Sequence, residues 1–189
     1  MVIIIAITLI IGGILLRLLP HLPNFAPITA TALFAGVYVK KRYAIVLPLI
    51  AMIISDYLLL YVSVQTMHLD FSHIYPLTAL FRPDTLFVWT SFVISGLIGI
   101  MLRSKKRKVH QIIGASLIAS IQFFIITNFG VWATTNMYPH TVNGLIQSYI
   151  MGIPFFQGTV LGDMFYTGIF FGSYALATKL SSKSAIKTA

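Results

Sequence analysis

The chain alternates long apolar segments with polar connections of two chemically different kinds. One kind is basic and comprises residues 40–42, residues 103–108 and the tail with Lys179, Lys183 and Lys187. The other kind is rich in His, Asn, Tyr and Asp, and comprises residues 21–27, 65–85 and 134–153. A bilayer gives a protein two chemically different ends, whereas a soluble core does not. The alternation therefore predicts an all-α, polytopic membrane protein.

The composition agrees with this interpretation because too few polar residues are present to cover a soluble domain. Of the residues 58% are hydrophobic and 9% are charged, against about 25% charged in a typical soluble protein. The length fits one transmembrane helical domain, residues 1–180, with a basic tail at residues 181–189. The absence of cysteine excludes disulfides and thiol chemistry.

The net charge of +9 comes almost entirely from the basic connections, which hold eleven of the thirteen Lys and Arg residues. Short basic clusters beside apolar spans mark the cytoplasmic side. We therefore expect a multi-pass protein of the inner or plasma membrane with its basic loops and C-terminus in the cytoplasm. Anionic lipid is a natural neighbour of such clusters, and no nucleic-acid partner is expected. All four acidic residues then lie in the outer half or the outer loops.

The apolar pattern predicts six transmembrane helices, of which the second is short. A span needs about 20 apolar residues, and residues 28–39 provide fewer. If this segment does not cross, the N-terminus lies outside and Arg17 lies inside. The predicted helices are Val2 to Leu19, Ile28 to Val39, Tyr43 to Val64, Leu86 to Leu102, Val109 to Ala133 and Phe155 to Leu180.

Small residues in several helices predict close helix packing, because spacing of four places them on one face. We prefer a crossing second helix for this reason. The small residues are Ala30, Ala32, Ala35 and Gly36 in the second helix, Ser91, Ser95 and Gly99 in the fourth, and Gly158/Gly162 and Gly168/Gly172 in the sixth.

Polar residues within the spans converge on the outer half of the predicted bundle. Asp56 lies about 20 Å along the third helix at 1.5 Å per residue, and Asp163 lies in the outer half of the sixth. An ionisable group in a span costs about 2.5 to 3.5 kcal/mol, so both should face the interior, water or a partner. Their aromatic and amide neighbours suggest a binding pocket. The predicted ligand-binding residues are Arg17, Asn24, Asp56, Tyr57, Asn128, Trp132, Asp163 and Tyr166.

Other interpretations of these residues stay open. Arg17 can pair with Asp56 or Asp163 merely to hold helices together, and Trp132 can belong to an interfacial aromatic belt. No catalytic signature is present, so we expect no enzyme, although His140 in a loop could approach a spanning aspartate. The outer histidines match no metalloprotease pattern, and we expect neither a metal nor a cofactor.

Five stretches resemble a bacterial family of small, uncharacterised proteins assigned to transport. They are LPNFAPITATALFAG (Leu22 to Gly36), PLIAMIISDYLL (Pro48 to Leu59), FFIITNFGVWA (Phe123 to Ala133), YPHTVNGL (Tyr138 to Leu145) and GIPFFQGTVLGDMFY (Gly152 to Tyr166). That family is in turn similar in build to the substrate-binding S components of energy-coupling-factor (ECF) transporters.

The resemblance implies capture of a small vitamin-like micronutrient at the outer face. It further implies a lid formed by the loop after helix one, with His21, Pro23 and Phe25, and docking on an ECF-type transmembrane subunit with its ATPases. Such docking surfaces on helix one often have two alanines four residues apart. Helix one here has Ala6, Gly12 and Gly13 and no small pair at that spacing, so a solitary carrier is the alternative.

Overall fold

The computed structural model describes residues 2–17, 24–66, 82–103 and 107–187. These residues form helices and no strands, as the all-α prediction requires. The helices are α1 (Val2–Arg17), α2 (Ile28–Tyr38), α3 (Lys41–Ala44), α4 (Val46–Thr66), α5 (Pro83–Met101), α6 (Val109–Thr134) and α7 (Val142–Lys187).

The short helix α2 lies at the centre of the molecule and packs mainly against α5 and α7. Nine consecutive residues, Thr29 to Val37, are buried. Gly36 meets Gly99 of α5 so closely that a Cβ at residue 36 would lie 2.7 Å from the Gly99 Cα. This contact, with Ser91 and Ser95 fully buried on the same face of α5, confirms the close packing predicted for small residues in these two helices. At 11 residues and 1.5 Å per residue, α2 covers about half of a bilayer core.

Arg103 fixes the end of α2 where the basic connections lie. Its Nε donates a hydrogen bond to the Gly36 carbonyl at 2.6 Å, and its Nη2 donates to the Val39 carbonyl. The last carbonyls of a helix have no partner within the helix, and a cation beside them is favourable. Arg103 therefore stabilises the end of α2, a role that its place in a basic run did not predict.

Two proline positions explain differences from the predicted helix bounds. The predicted third helix is divided at Ile45 into α3 and α4, because Pro48 has no N–H to donate to the Ala44 carbonyl. Helix α5 begins at Pro83, three residues before the predicted start at Leu86. Proline is favoured there because the first turn of a helix needs no N–H donor and the ring presets φ.

The prediction of a long loop before helix six was wrong, because α7 begins at Val142 rather than Phe155 and runs for 46 residues. Its first turns pack along the C-terminal half of α6. The Tyr149 hydroxyl donates to the Ile125 carbonyl at 3.0 Å, and a Cβ at residue 152 would lie 2.9 Å from Phe124 Cε2. These contacts hold a polar segment in a helix despite Pro154. The helix continues to Lys187 and so includes most of the predicted tail.

Three helical segments are long and apolar enough to cross a membrane, namely Lys41–Leu59, Pro83–Met101 and Val109–Thr134. The described parts of α1 and α2 form shorter apolar helices. Helix α7 is not among the three, and its Gln157 and Asp163 lower its hydropathy. Large apolar side chains such as Ile118 and Leu161 face outward with 58% and 62% of their surface exposed. Such a surface suits lipid rather than water.

Candidate functional site

A cavity of about 370 Å³ lies where α1 ends and α5 begins, away from the basic connections. Four of the eight predicted ligand-binding residues line it: Arg17, Asn24, Asp56 and Asp163. Met52, Val88, Phe92 and Phe123 supply apolar walls. Apolar walls with a few converging polar groups are the usual composition of a small-molecule site.

Arg17 and Asp56 form an ion pair in the wall of this cavity. The Arg17 Nη2 lies 2.5 Å from Asp56 Oδ1, and 17% and 29% of the two side chains are exposed. Arg17 Nη1 also donates to the Ser55 hydroxyl and to the Met52 carbonyl. The Arg17–Asp56 ion pair, which the sequence also permits as a simple link between helices, therefore forms, and it borders the cavity. Both charged groups remain accessible to a ligand.

Asp163 lies deeper and is almost completely buried, with 1% of its surface exposed. The Ser120 hydroxyl donates to Asp163 Oδ2 at 2.7 Å. The same carboxyl group interacts with the Thr29 side chain and with the backbone of Ala30. Asp163 thus joins α7, α6 and the start of α2, and it lines the cavity. A buried carboxyl group held by neutral hydrogen-bond donors can accept a further donor from a ligand.

A second charged pair, which the sequence did not assign to the site, also lines the cavity. Arg82 Nε and Nη2 donate to the two carboxylate oxygens of Asp84 at 3.0 and 2.5 Å. Asp84 lies in the first turn of α5, where a negative charge is favourable. The sequence feature that could have revealed this pair is Pro83, because proline favours the first turn of a helix and so places Arg82 and Asp84 at the start of α5.

A smaller cavity of about 190 Å³ adjoins the first and shares Asn24, Phe123 and Thr159 with it. Asn128 lines this second cavity, and its amide Nδ2 donates to the Phe124 carbonyl at 2.8 Å. Because that bond uses one N–H, the second N–H and the side-chain oxygen of Asn128 remain for other partners. The structure therefore places Asn128 next to the main cavity rather than in its wall.

Three predicted site residues line neither cavity. Tyr57 is 49% exposed. Trp132 donates from Nε1 to the Pro139 carbonyl at 3.0 Å, which ties the turn between α6 and α7. Tyr166 is buried with its ring against Phe25 at 5.5 Å. As direct ligand contacts these three residues stay predictions.

The described part of the predicted lid lies across α7. Phe25 packs against Phe165 and Tyr166 with ring centroids 5.6 and 5.5 Å away. Gly162 permits this approach, because a Cβ there would lie 3.0 Å from the Phe25 Cα. Asn24 adopts φ of 58°, a left-handed conformation that asparagine tolerates better than most residues. His21 and Pro23 lie outside the described residues.

In the described part of the chain, no three His, Asp or Glu side chains lie close enough together to hold a metal ion. Three further residues of these types, His68, Asp70 and His73, follow one another closely in the sequence and lie outside that part.

An all-helical fold, three helices of membrane-spanning length and an apolar outer surface define an α-helical membrane protein with a polar cavity near one end. The chain belongs to a family of unknown function, DUF6580, whose model matches residues 1–185. No curated protein and no solved structure matches it.

Proposed function

We propose that this protein is a membrane-embedded substrate-binding or transport protein that captures a small, vitamin-like micronutrient from the outer side. The observation that carries the proposal is the cavity in which Arg17, Asp56 and Asp163 meet. Charged groups inside a membrane domain are costly and by default indicate function. A purely structural ion pair accounts for Arg17 and Asp56, but it does not account for an adjoining cavity with a second, separate carboxyl group, that of Asp163.

The chemistry of the cavity favours a ligand that carries both hydrogen-bond donors and an apolar or planar part. The carboxyl groups of Asp56 and Asp163 accept hydrogen bonds, and Arg17 can meet an anionic group or hold Asp56 in place. Phe92 and Phe123 offer aromatic surface to a ring. The segment from Asn24 to Pro27 then closes the ligand in, consistent with a lid after α1.

The membrane arrangement belongs to the same proposal. We place six crossings in an S-component-like bundle, with α3 and α4 together forming one crossing and α2 the short one. The basic connections and the C-terminus face the cytoplasm. A partner of the ECF transmembrane type, with its ATPases, would supply energy, and a solitary carrier is the alternative.

Native mass spectrometry of the purified protein tests the proposal. We expect collisional activation in the mass spectrometer to release a small molecule from the wild-type protein. Asp56→Asn and Asp163→Asn should each lose it while they keep the fold, since asparagine has nearly the same volume as aspartate. Tyr43→Phe serves as the control because Tyr43 is exposed and lines neither cavity. Equal retention of the molecule by both aspartate variants would refute the assignment of this cavity.

A further inference from the structure

An apolar groove of about 550 Å³ lies at the other end of the molecule, where the basic connections are. It runs between the first turns of α6 and the second half of α7, and reaches Tyr38 at the end of α2. Ile112, Ile113, Met164 and Phe171 form most of its apolar wall. The polar Thr167 in this wall already shares a hydrogen bond of 3.2 Å with Ser116.

Two glycines make this groove. Gly168 and Gly172 lie one turn apart on α7, and a Cβ at either position would meet no atom of the described residues within 4 Å. The prediction that this pair packs tightly against a neighbouring helix was therefore wrong within the described chain. The missing side chains instead leave a depression in a surface that is otherwise apolar.

Arg107 places a positive charge at the end of the groove. Its guanidinium carbon lies 4.7 Å from the centre of the Tyr38 ring. Its Nη1 atom is buried and has no hydrogen-bond partner among the described residues. A buried cationic donor without an acceptor costs free energy, so an anionic acceptor that reaches this atom stabilises the protein.

We propose that the groove binds one anionic phospholipid, with its phosphate at Arg107 and an acyl chain along the glycine face of α7. The groove extends from Met164 to Ala175 on α7, about 16 Å at 1.5 Å per residue. That length is close to half of a hydrocarbon core of about 30 Å, which is the depth of one leaflet. The neighbouring basic residues favour anionic lipid at the same level. This site is separate from the ligand cavity and does not depend on its function.

Lipid binding to the purified full chain in detergent tests this proposal. Native mass spectrometry compares phosphatidylglycerol with phosphatidylcholine of the same acyl chains. We expect the wild-type protein to retain phosphatidylglycerol preferentially. Arg107→Gln should reduce its retention about fivefold, the effect of one basic residue near a lipid surface. Gly172→Leu should reduce retention of both lipids, because the leucine side chain fills the groove.

The controls change the same residue types outside the groove. Arg42→Gln removes an exposed guanidinium that stacks on Tyr43, and Gly114→Leu adds a side chain to α6 where a Cβ would meet nothing within 4 Å. Gly114→Leu should retain lipid like the wild-type protein, and Arg42→Gln should lose clearly less phosphatidylglycerol than Arg107→Gln, because Arg42 lies outside the groove. Undiminished phosphatidylglycerol in both groove variants would overturn the proposal. It would also be overturned if the wild-type protein were a dimer that Gly172→Leu converts to a monomer, since a second copy would then occupy the groove.

Discussion

Replacing Gly36 with alanine perturbs the close backbone contact between α2 and α5. The new Cβ would lie 2.7 Å from the Cα of Gly99 and 3.0 Å from its carbonyl carbon. Both opposing atoms belong to the backbone of α5, which cannot rotate away as a side chain can. The two helices must therefore move apart, and the small-residue face that Ser91 and Ser95 share with Gly99 loses contact.

The expected loss follows from two opposing terms. An extra methyl group in a packed core costs about 1 to 3 kcal/mol, and the backbone neighbours place Gly36→Ala at the upper end. Alanine regains up to about 1 kcal/mol over glycine in a helix. We expect a net loss of about 1 to 2 kcal/mol in unfolding free energy. Gly12→Ala is the matched control, because a Cβ at residue 12 would meet nothing within 4 Å, and it should gain up to about 1 kcal/mol.

Reversible unfolding in mixed micelles, followed by circular dichroism, measures both variants against the wild-type protein. The two variants should differ by about 1 to 3 kcal/mol, the sum of the loss and the gain. If Gly36→Ala proved as stable as Gly12→Ala, α2 and α5 would not pack as closely as described.

Three further predictions follow from single contacts. Ser120→Ala removes the hydroxyl that donates to Asp163 and should lower the unfolding free energy by about 1 to 2 kcal/mol; an unchanged value in the same unfolding assay would contradict that bond. Arg103→Gln removes the guanidinium from the end of α2 and should lower the unfolding free energy by about 1 kcal/mol. Arg42→Gln, at an exposed residue, should not change it measurably, and equal losses in the two variants would exclude the capping role. Phe25→Ala removes the ring contacts with α7 and should speed release of the co-purifying molecule, measured as its loss during dialysis; an unchanged rate would argue against a lid.

Much of the architecture could be predicted because hydropathy and small-residue spacing act locally. The bounds of α6 differ from the prediction by one residue at the C-terminus, and the buried face of α2 follows from its small residues. The start of α7 was missed, since the composition of its polar first turns does not reveal their contact with α6 or the hydrogen bond from the Gly144 N–H to the Thr141 hydroxyl. For the same reason Gly168 and Gly172 looked like a packing pair, although spacing alone does not reveal whether a neighbour is present.

The candidate site was predicted in part. Depth along the helices brought Arg17, Asp56 and Asp163 together, because charged groups in a span must share the few polar positions available. The depth of a residue along its helix could not show that Asn128 lines the adjoining cavity and not the main one. Arg82 and Asp84 were missed because their contribution depends on where α5 begins, and helix ends are the least predictable part of a helix.

The central claim is that the cavity between Arg17, Asp56 and Asp163 holds the ligand. An experimentally determined structure of the protein with its co-purifying molecule tests this claim most directly. We expect density for the molecule within hydrogen-bonding distance of the Asp56 and Asp163 carboxyl groups, with Asn24 to Pro27 closed over it. Density for the molecule elsewhere, with this cavity filled by water alone, would contradict the claim.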